Sequence, residues 1–254
     1  TKSTSSVTVT EAAGGSNTAT FTVVLDSEPS SGTVVIDVTS GTTGQATVSP
    51  SSLTFTTGNW DTPQTVTVTG VDNDVDGSNA GSTITLAVND GSTADANYDA
   101  LSDQTVTAAL TDNDTAGFTK STSSVTVTEA AGGSNTATFT VVLDSEPSSG
   151  TVVIDVTSGT TGQATVSPSS LTFTTGNWDS PQTVTVTGVD NDVDGSNAGS
   201  TVTLAVNDGS TADANYDALS NQTVTAALTD NDTAGFTKST SSVTVTEAAG
   251  GSNT

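Results

Sequence analysis

The amino-acid sequence predicts an all-β chain built from tandem β-sandwich domains. Apolar residues alternate with threonine or serine over most of the chain, the pattern of strands with one buried and one exposed face. The sequence also repeats: Thr1-Lys2-Ser3 returns at residues 119 and 237, which gives a period of 118. This period is the size of an independent domain and too long for one turn of a solenoid.

The two complete copies are nearly identical. They differ at three positions, which are Thr62/Ser180, Ile84/Val202 and Asp103/Asn221. We predict one domain over 1–118, a second over 119–236, and the first strand of a third copy over 237–254. This partial copy is interpreted as a fragment boundary; in the alternative, SVTVTE at 242–247 adds a strand to the sheet of a neighbouring chain.

Seven strand segments are predicted in each copy, separated by Gly, Pro, Asn, Asp and Ser residues typical of turns. In the first copy they are SVTVTE (6–11), TATFTVVL (18–25), TVVIDV (33–38), SLTFTT (52–57), QTVTVTGV (64–71), STITLAV (82–88) and TVTAALTD (105–112). ADANYDALS (94–102) could form one helical turn. Seven strands in one domain of this length favour a two-sheet, immunoglobulin-like sandwich.

The alternation assigns one face of each strand to the core. The predicted core residues of the first copy are Val7, Val9, Phe21, Val23, Leu25, Val34, Ile36, Val38, Leu53, Phe55, Val66, Val68, Ile84, Leu86, Val88, Val106 and Leu110.

The composition excludes several classes of function. The chain has 28 acidic residues, three Lys or Arg, no His and no Cys, with a formal net charge of −25. Nucleic-acid binding is excluded because too few cations are present to neutralise phosphates. Without His and Cys the usual catalytic bases and nucleophiles are missing, so we expect no enzyme. No apolar run is long enough for membrane insertion, and the composition is typical of an extracellular protein.

Acidic residues are predicted to gather at one end of each sandwich. In an antiparallel sandwich the first, third, fifth and seventh segments all finish at the same end, here called the exit pole. In the first copy this pole collects Glu11, Asp37, Asp72, Asp74, Asp76, Asp112 and Asp114. At the opposite end, the entry pole, the second copy carries Asp144, Glu146, Asp179, Asp208, Asp213 and Asp217. We expect these two acidic surfaces to face each other.

Such a junction repels itself unless a cation is present. Two carboxylates about 4 Å apart repel by roughly 1 kcal/mol in water and about 4 kcal/mol at an effective dielectric constant of 20. Calcium accepts six to eight oxygen ligands from carboxylates, carbonyls and amides, and the DND sequence at 112–114 supplies several of them. The sequence therefore predicts Ca²⁺ at the exit pole; the alternative is a solvated acidic surface without metal.

Three sequence blocks in each copy resemble the Calx-beta family and its bacterial surface-protein relatives. In the first copy they are VTVTEAAGG (7–15), SLTFTTGNWDTPQTVTVTGVDND (52–74) and VTAALTDND (106–114). The resemblance covers 5–114 and 123–232. It implies Calx-beta-type sandwiches that bind calcium at one pole, and it implies the ligands Glu11, Asp72, Asp74, Asp76, Asp112, Asp114, Glu129, Asp190, Asp192, Asp194, Asp230 and Asp232.

The chain departs from this family pattern at one place. Many relatives carry a glutamate where this chain has GSNAG (77–81). The number of calcium ions at each pole therefore stays open.

Relatives of this kind form long arrays in adhesins and surface fibres. We therefore expect a calcium-stiffened structural array on a bacterial cell surface, with adjacent repeats of the same chain as partners and identical chains as partners in a fibre. Phe118 and Phe236, in the connecting TAGF segments, are predicted to plug the joints between repeats.

Three other functions were weighed against this array. Trp60 and Trp178 could stack on a carbohydrate, although capping of the sandwich end is the favoured interpretation. The outward threonine rows could bind ice. Lys2, Lys120 and Lys238 could form isopeptide crosslinks, although an exposed lysine near the junction is the favoured interpretation.

Overall fold

Each repeat folds as a two-sheet β-sandwich. The computed structural model describes residues 1–14, 17–77, 80–131, 135–195, 198–245, 247 and 249. Repeat 1 contains β1 (Ser6–Thr10), β2 (Thr18–Val23), β3 (Thr33–Ser40), β4 (Ala46–Ser49), β5 (Ser52–Thr56), β6 (Gln64–Gly70), β7 (Ser82–Val88), helix α1 (Ala96–Asp99) and β8 (Gln104–Thr111). Its sheets have the strand orders β1-β8-β7-β3-β5 and β2-β6-β4.

The second repeat has the same plan with one added strand. It contains β9 (Phe118–Lys120), β10 (Ser124–Thr128), β11 (Thr136–Leu143), β12 (Thr151–Ser158), β13 (Ala164–Ser167), β14 (Ser170–Thr174), β15 (Gln182–Gly188), β16 (Ser200–Val206), helix α2 (Ala214–Asp217) and β17 (Gln222–Thr229). Its sheets have the orders β10-β17-β16-β12-β14 and β13-β15-β11-β9. The all-β immunoglobulin-like prediction is confirmed.

The structure adds a strand that the sequence analysis left out. The short strand β4 pairs with β6 in the smaller sheet, whereas β5 pairs with β3 in the larger one. Within the larger sheet, β1, β3 and β8 run in the same direction, because β7 is antiparallel to both β3 and β8 and β1 is parallel to β8. For this reason the extra strand does not change which strands finish at the exit pole.

The first and last strands of each repeat are parallel neighbours. Ser6 pairs with Thr107 and Thr10 pairs with Thr111, and β10 and β17 pair in the same way. Parallel pairing brings the ends of these two strands together, so Glu11 follows β1 beside the acidic residues that follow β8. The backbone N–H of Glu11 donates to the Thr111 carbonyl at 2.9 Å.

The predicted core is confirmed almost throughout. Every predicted residue of repeat 1 is buried except Val88 and Leu110, which are partly buried and pack against the same core. Ala46, Tyr98 and Ala108 join them. Tyr98 was not predicted as a core residue because it lies on α1 and not on a strand. Its hydroxyl donates to the Ser27 carbonyl at 2.5 Å.

One predicted member of the exit pole lies elsewhere. β3 continues past Asp37 to Ser40, so Asp37 does not end the strand. Its Oδ2 accepts from the Asn89 side chain at 2.8 Å. Asp37 is therefore a strand residue tied to the turn after β7.

The domain boundaries remain predictions. Among residues 230–245, 247 and 249 the structure assigns no strand, whereas the same sequence forms β1 and β10 in the complete copies. The physical difference is that β1 and β10 each pair with the last strand of their own repeat. Thr246, Ala248 and residues 250–254 of the predicted third copy lie outside the described residues, as do Ser78 and Asn79 in the GSNAG segment.

We predict that Gly70→Ala strongly destabilises repeat 1. A Cβ at Gly70 would overlap the Thr10 carbonyl oxygen and press on Leu110, because β6 crosses β1 there. We expect a loss of about 1–3 kcal/mol in the free energy of unfolding, the usual cost of overpacking, measured by chemical denaturation. Gly44→Ala is the matched control, since a Cβ at Gly44 meets nothing within 4 Å; equal losses in both variants would contradict the crossing argument.

Candidate metal centre

Three carboxylates of each repeat meet at the exit pole. In repeat 1 they are Glu11, Asp112 and Asp114, and one oxygen from each lies within 4.8 Å of the others. In repeat 2 the corresponding cluster is Glu129, Asp230 and Asp232. Two oxygens on opposite sides of a Ca²⁺ ion are separated by about twice the 2.3–2.6 Å ligand distance. The spacing therefore suits a common ion.

The glutamate of each cluster is completely buried. Glu11 and Glu129 are each 0% exposed. The Glu11 carboxylate accepts from the backbone N–H of Asn73 at 3.2 Å, and Glu129 accepts from Asn191 at 3.1 Å. A buried carboxylate beside other carboxylates is costly, because burial strengthens repulsion between like charges.

The last aspartate of each cluster has an oxygen that the protein does not satisfy. Among the described residues, Oδ2 of Asp114 and Oδ2 of Asp232 are buried and have no hydrogen-bond partner. An unsatisfied buried anionic oxygen is unfavourable unless a cation or water meets it. These atoms fit a bound Ca²⁺ as carboxylate ligands.

Burial and neighbouring charges shift the pKa of these aspartates. Burial raises the pKa of Asp114, and the charges of Asp112, Asp74, Asp72 and Asp76 raise it further. Burial likewise raises the pKa of Asp232, with Asp230, Asp192, Asp190 and Asp194 adding to the effect. Both groups of aspartates after β6 and β15 are therefore electrostatically coupled to the clusters.

The remaining members of each cluster are held by backbone N–H groups. Asp112 accepts from Gly77 at 2.9 Å and from Asp114 at 3.0 Å. Asp230 accepts from Gly195 and from Asp232, each at 2.9 Å, and these hydrogen bonds lower the pKa of Asp230. The clusters of the two repeats are thus fixed by the same loop contacts.

The aspartates after β6 do not join the three-carboxylate cluster as closely. Asp72 and Asp74 are exposed, and Asp76 is partly buried. Asp76 Oδ2 accepts from the backbone N–H of Ala116 at 2.7 Å, which ties the loop to the segment connecting the repeats. In repeat 2, Asp194 accepts from the backbone N–H of Ala234 at 2.6 Å, and Asp190, Asp192 and Asp194 are all exposed. The assignment of all twelve residues as ligands stays a prediction.

Two contributors to the site were missed in the sequence. Asn73 and Asn191 fold the loop back on itself, since each side-chain oxygen accepts from the N–H two residues later at 2.9 Å. The sequence did contain a sign of this turn, because the side chain of an Asn in such a position often binds the backbone two residues later. Only the tertiary structure shows that the N–H of the same Asn binds the buried glutamate.

The exit pole of repeat 1 contacts the entry pole of repeat 2. The Glu146 N–H donates to the Asp74 carbonyl at 2.6 Å, and the Asn215 side chain donates to the Asp76 carbonyl at 2.5 Å. Val75 is partly buried at this junction, whereas its counterpart Val193 is 66% exposed. The acidic loops therefore meet through backbone and amide groups.

Phe118 lies in the core of the second repeat. It is 3% exposed and pairs with Leu143 across β9 and β11. Phe236, the same residue one period later, is 95% exposed. Phe118 is therefore a core residue of the second repeat, and its predicted role as a plug between repeats stays a prediction.

The tryptophans and one lysine occupy structural positions. Trp60 and Trp178 are partly buried and pack against the two cores. Their carbonyls accept from Leu25 and Leu143, both at 3.1 Å. The Lys2 ammonium donates to the carbonyl of Thr105.

Comparisons with known proteins gave structural similarities at low sequence identity. The chain matches no family model, and no curated protein matches it. A crystal structure of CBD12 from CALX1.2 is 16% identical, covers 82% of this chain and 81% of its own, and has a TM-score of 0.34. The calcium binding domain CBD12 of CALX1.1 is 18% identical, covers 80% of this chain and 76% of its own, and has a TM-score of 0.33.

A third solved structure comes from a surface layer protein. Domains 4–9 of SbsC are 19% identical, cover 90% of this chain and 31% of their own, and have a TM-score of 0.28. Separately, no helix among the described residues of this chain has the length and apolarity to cross a membrane. The function proposed below rests on the residues of this chain.

We predict that Asp114→Asn stabilises the calcium-free protein and weakens calcium binding. The amide removes one negative charge from the cluster, so the free energy of unfolding in chelator should rise. It also replaces a carboxylate ligand, so calcium should raise the melting temperature by less than in the wild type. Calorimetry with and without calcium measures both effects.

Asp61→Asn is the matched control for this variant, because Asp61 is exposed and lies in the loop that carries Trp60. It should leave both quantities nearly unchanged. A calcium-dependent gain in Asp114→Asn as large as in the wild type would show that Asp114 is no ligand.

Proposed function

We propose that this chain is a calcium-stiffened structural array of an extracellular bacterial surface protein, such as an adhesin stalk or a surface fibre. The observation that carries the proposal is the cluster of Glu11, Asp112 and Asp114, with a buried aspartate oxygen that the described residues do not satisfy. Carboxylate oxygens of this number and spacing favour a hard divalent cation, and Ca²⁺ tolerates their irregular geometry.

The cluster is positioned to act on the connection between repeats. Asp114 is followed at once by the TAGF segment (115–118), whose Ala116 N–H is held by Asp76. Neutralising the aspartates around Asp114 would hold the loop after β6 against the chain after β8. Because Asp74 and Asp76 carry the carbonyls that contact repeat 2, a fixed loop also fixes the next repeat.

Close packing at the connection supports the same role. A Cβ at Gly117 would lie 2.5 Å from Oδ2 of Asp144, and the Asp144 N–H donates to the Gly117 carbonyl at 2.9 Å. Phe118 then enters the core of repeat 2. Calcium would add to these contacts by removing repulsion between the acidic loops, so that the array resists bending.

We predict that calcium raises the melting temperature and extends the molecule. A ligand that binds only the folded state at 100 times its dissociation constant stabilises by about 2.7 kcal/mol. Differential scanning calorimetry and small-angle X-ray scattering should show a higher melting temperature and a longer, stiffer particle with calcium than with chelator. Magnesium at equal concentration is the control, since it prefers a smaller, regular octahedral site. Identical profiles with calcium and chelator would refute the proposal.

We predict that Phe118→Ala loosens the joint and destabilises repeat 2. Truncation of a buried Phe costs about 3–5 kcal/mol, and the lost plug should increase the flexibility seen by scattering in calcium. Phe236→Ala makes the same change at a residue that is 95% exposed. It should therefore change neither the stability of repeat 2 nor the flexibility of the joint. Equal behaviour of the two variants would contradict the plug role of Phe118.

A further inference from the structure

The chain contains four Asp-Gly pairs, two in each repeat. They are Asp76-Gly77 and Asp194-Gly195, in the loops after β6 and β15, and Asp90-Gly91 and Asp208-Gly209, in the turns after β7 and β16. A glycine after an aspartate has no Cβ to shield its backbone nitrogen. Such a pair is therefore prone to attack by that nitrogen on the aspartate carboxyl group, and the surrounding structure decides whether the two groups can meet.

The pairs at the exit pole are held at both reacting groups. The Gly77 N–H donates to Asp112 Oδ2 at 2.9 Å. Asp76 Oδ2 accepts from the Ala116 N–H at 2.7 Å. Repeat 2 has the same two contacts, at 2.9 Å from Gly195 to Asp230 and at 2.6 Å from Ala234 to Asp194. Nitrogen and carboxyl group are thus bound to different partners, which opposes a reaction between them.

The pairs in the turns after β7 and β16 lack both restraints. Asp90 and Gly91 are exposed, in a turn closed by hydrogen bonds from Ser92 and Thr93 to the Asn89 carbonyl. Among the described residues, neither the Asp90 carboxylate nor the Gly91 N–H has a hydrogen-bond partner. The same holds for Asp208 and Gly209 in repeat 2. An exposed turn of this kind opens locally at low free-energy cost.

We propose that Asp90 and Asp208 are sites of isoaspartate formation in the folded protein, whereas Asp76 and Asp194 are protected. The glycine nitrogen attacks Cγ of the protonated aspartate carboxyl group. The carboxyl hydroxyl leaves as water with the proton of the nitrogen, and a cyclic succinimide forms. Water then adds to one of the two ring carbonyls. Addition at Cγ restores aspartate, and addition at the main-chain carbonyl carbon gives isoaspartate, so the net reaction is an isomerisation.

The position of Asp208 links this modification to the contact between repeats. Isoaspartate routes the main chain through the aspartate Cβ, which lengthens the turn by one carbon. This turn begins the segment that carries Asn215, whose side chain donates to the Asp76 carbonyl of repeat 1 at 2.5 Å. The segment is anchored to β12 by the Asn207 N–H, which donates to the Val153 carbonyl at 2.8 Å. A longer main chain between these two anchors should weaken the contact between the repeats.

Peptide mapping of the folded chain after long incubation below its melting temperature tests this inference. Chymotrypsin cleavage after Leu86 and Leu204 separates the exit-pole pairs from the turn pairs, and electron-transfer fragmentation distinguishes isoaspartate from aspartate. Isoaspartate should accumulate at least about tenfold faster at the turn pairs, a factor that corresponds to roughly one hydrogen bond to a charged group. In the urea-unfolded chain all four pairs should react at similar rates. Equal rates in the folded protein, or no isoaspartate at Asp90 and Asp208, overturns the inference.

Gly91→Ala provides a matched comparison within one molecule. A Cβ at residue 91 would lie 3.6 Å from Asn89 Oδ1, an ordinary contact, so the variant should fold. The added methyl group hinders the attacking nitrogen. Isoaspartate at Asp90 should therefore be largely lost, while Asp208 in the same molecule keeps the wild-type rate. Unchanged isoaspartate at Asp90 would contradict attack by this nitrogen.

Asp112→Ala tests the protection at the exit pole. The variant frees the Gly77 N–H, so isomerisation of Asp76 should accelerate while that of Asp194 does not. The two peptides differ in mass, because repeat 1 has Thr62 and Ile84 where repeat 2 has Ser180 and Val202. Asp76 reacting as slowly as in the wild type would show that this hydrogen bond is not protective. The wild-type comparison decides the question even if Asp112→Ala fails to fold.

The inference goes beyond the calcium proposal and does not depend on it. Bound calcium would restrain the exit-pole loop further, so the turn pairs should react faster than the exit-pole pairs both in calcium and in chelator. The two proposals have separate measurements. A calcium-independent melting temperature would refute only the proposed function, and equal isomerisation of all four pairs would refute only this inference.

Discussion

Repulsion within a cluster of one buried and two partly buried carboxylates is the constraint on which the ends of this molecule depend. Glu11 is completely buried beside Asp112 and Asp114, in a chain with three cationic side chains against 28 acidic ones. Backbone N–H groups satisfy part of this charge, but one oxygen of Asp114 is left over among the described residues. A divalent cation held by this cluster would relieve this cost beside the segment that joins the repeats.

The fold creates this constraint through parallel pairing of the first and last strands. If β1 and β8 were antiparallel, Glu11 and Asp112 would lie at opposite ends of the sheet. Their parallel register places both residues directly after paired strand ends. The loop after β6 reaches the same place because Gly70 lets that strand pass close over Thr10. Architecture and acidic cluster are therefore one structural feature.

The two repeats show how the junction differs from the cluster itself. The carboxylate clusters are built alike in both, with matching contacts to Asn73 and Asn191. The two repeats differ in the exposure of nearby apolar side chains. Val75 is partly buried and Phe118 is buried, whereas their counterparts Val193 and Phe236 are exposed. The cluster is thus built within one sandwich, whereas the burial of Val75 and Phe118 is seen only where a complete repeat follows.

The sequence by itself determined the strand segments, most of the core and the clustering of acidic residues at one pole. Period-two alternation reports burial directly, and strand direction follows from counting segments. Only the tertiary structure showed that β4 is a separate strand and that Asp37 lies inside β3. It also showed which aspartates belong to the carboxylate cluster and which bind the connecting segment. Asp114 lies in the cluster, whereas Asp76 binds the connecting segment. These outcomes depend on contacts between residues distant in sequence, because local pattern fixes which face a side chain occupies but not which atoms it meets.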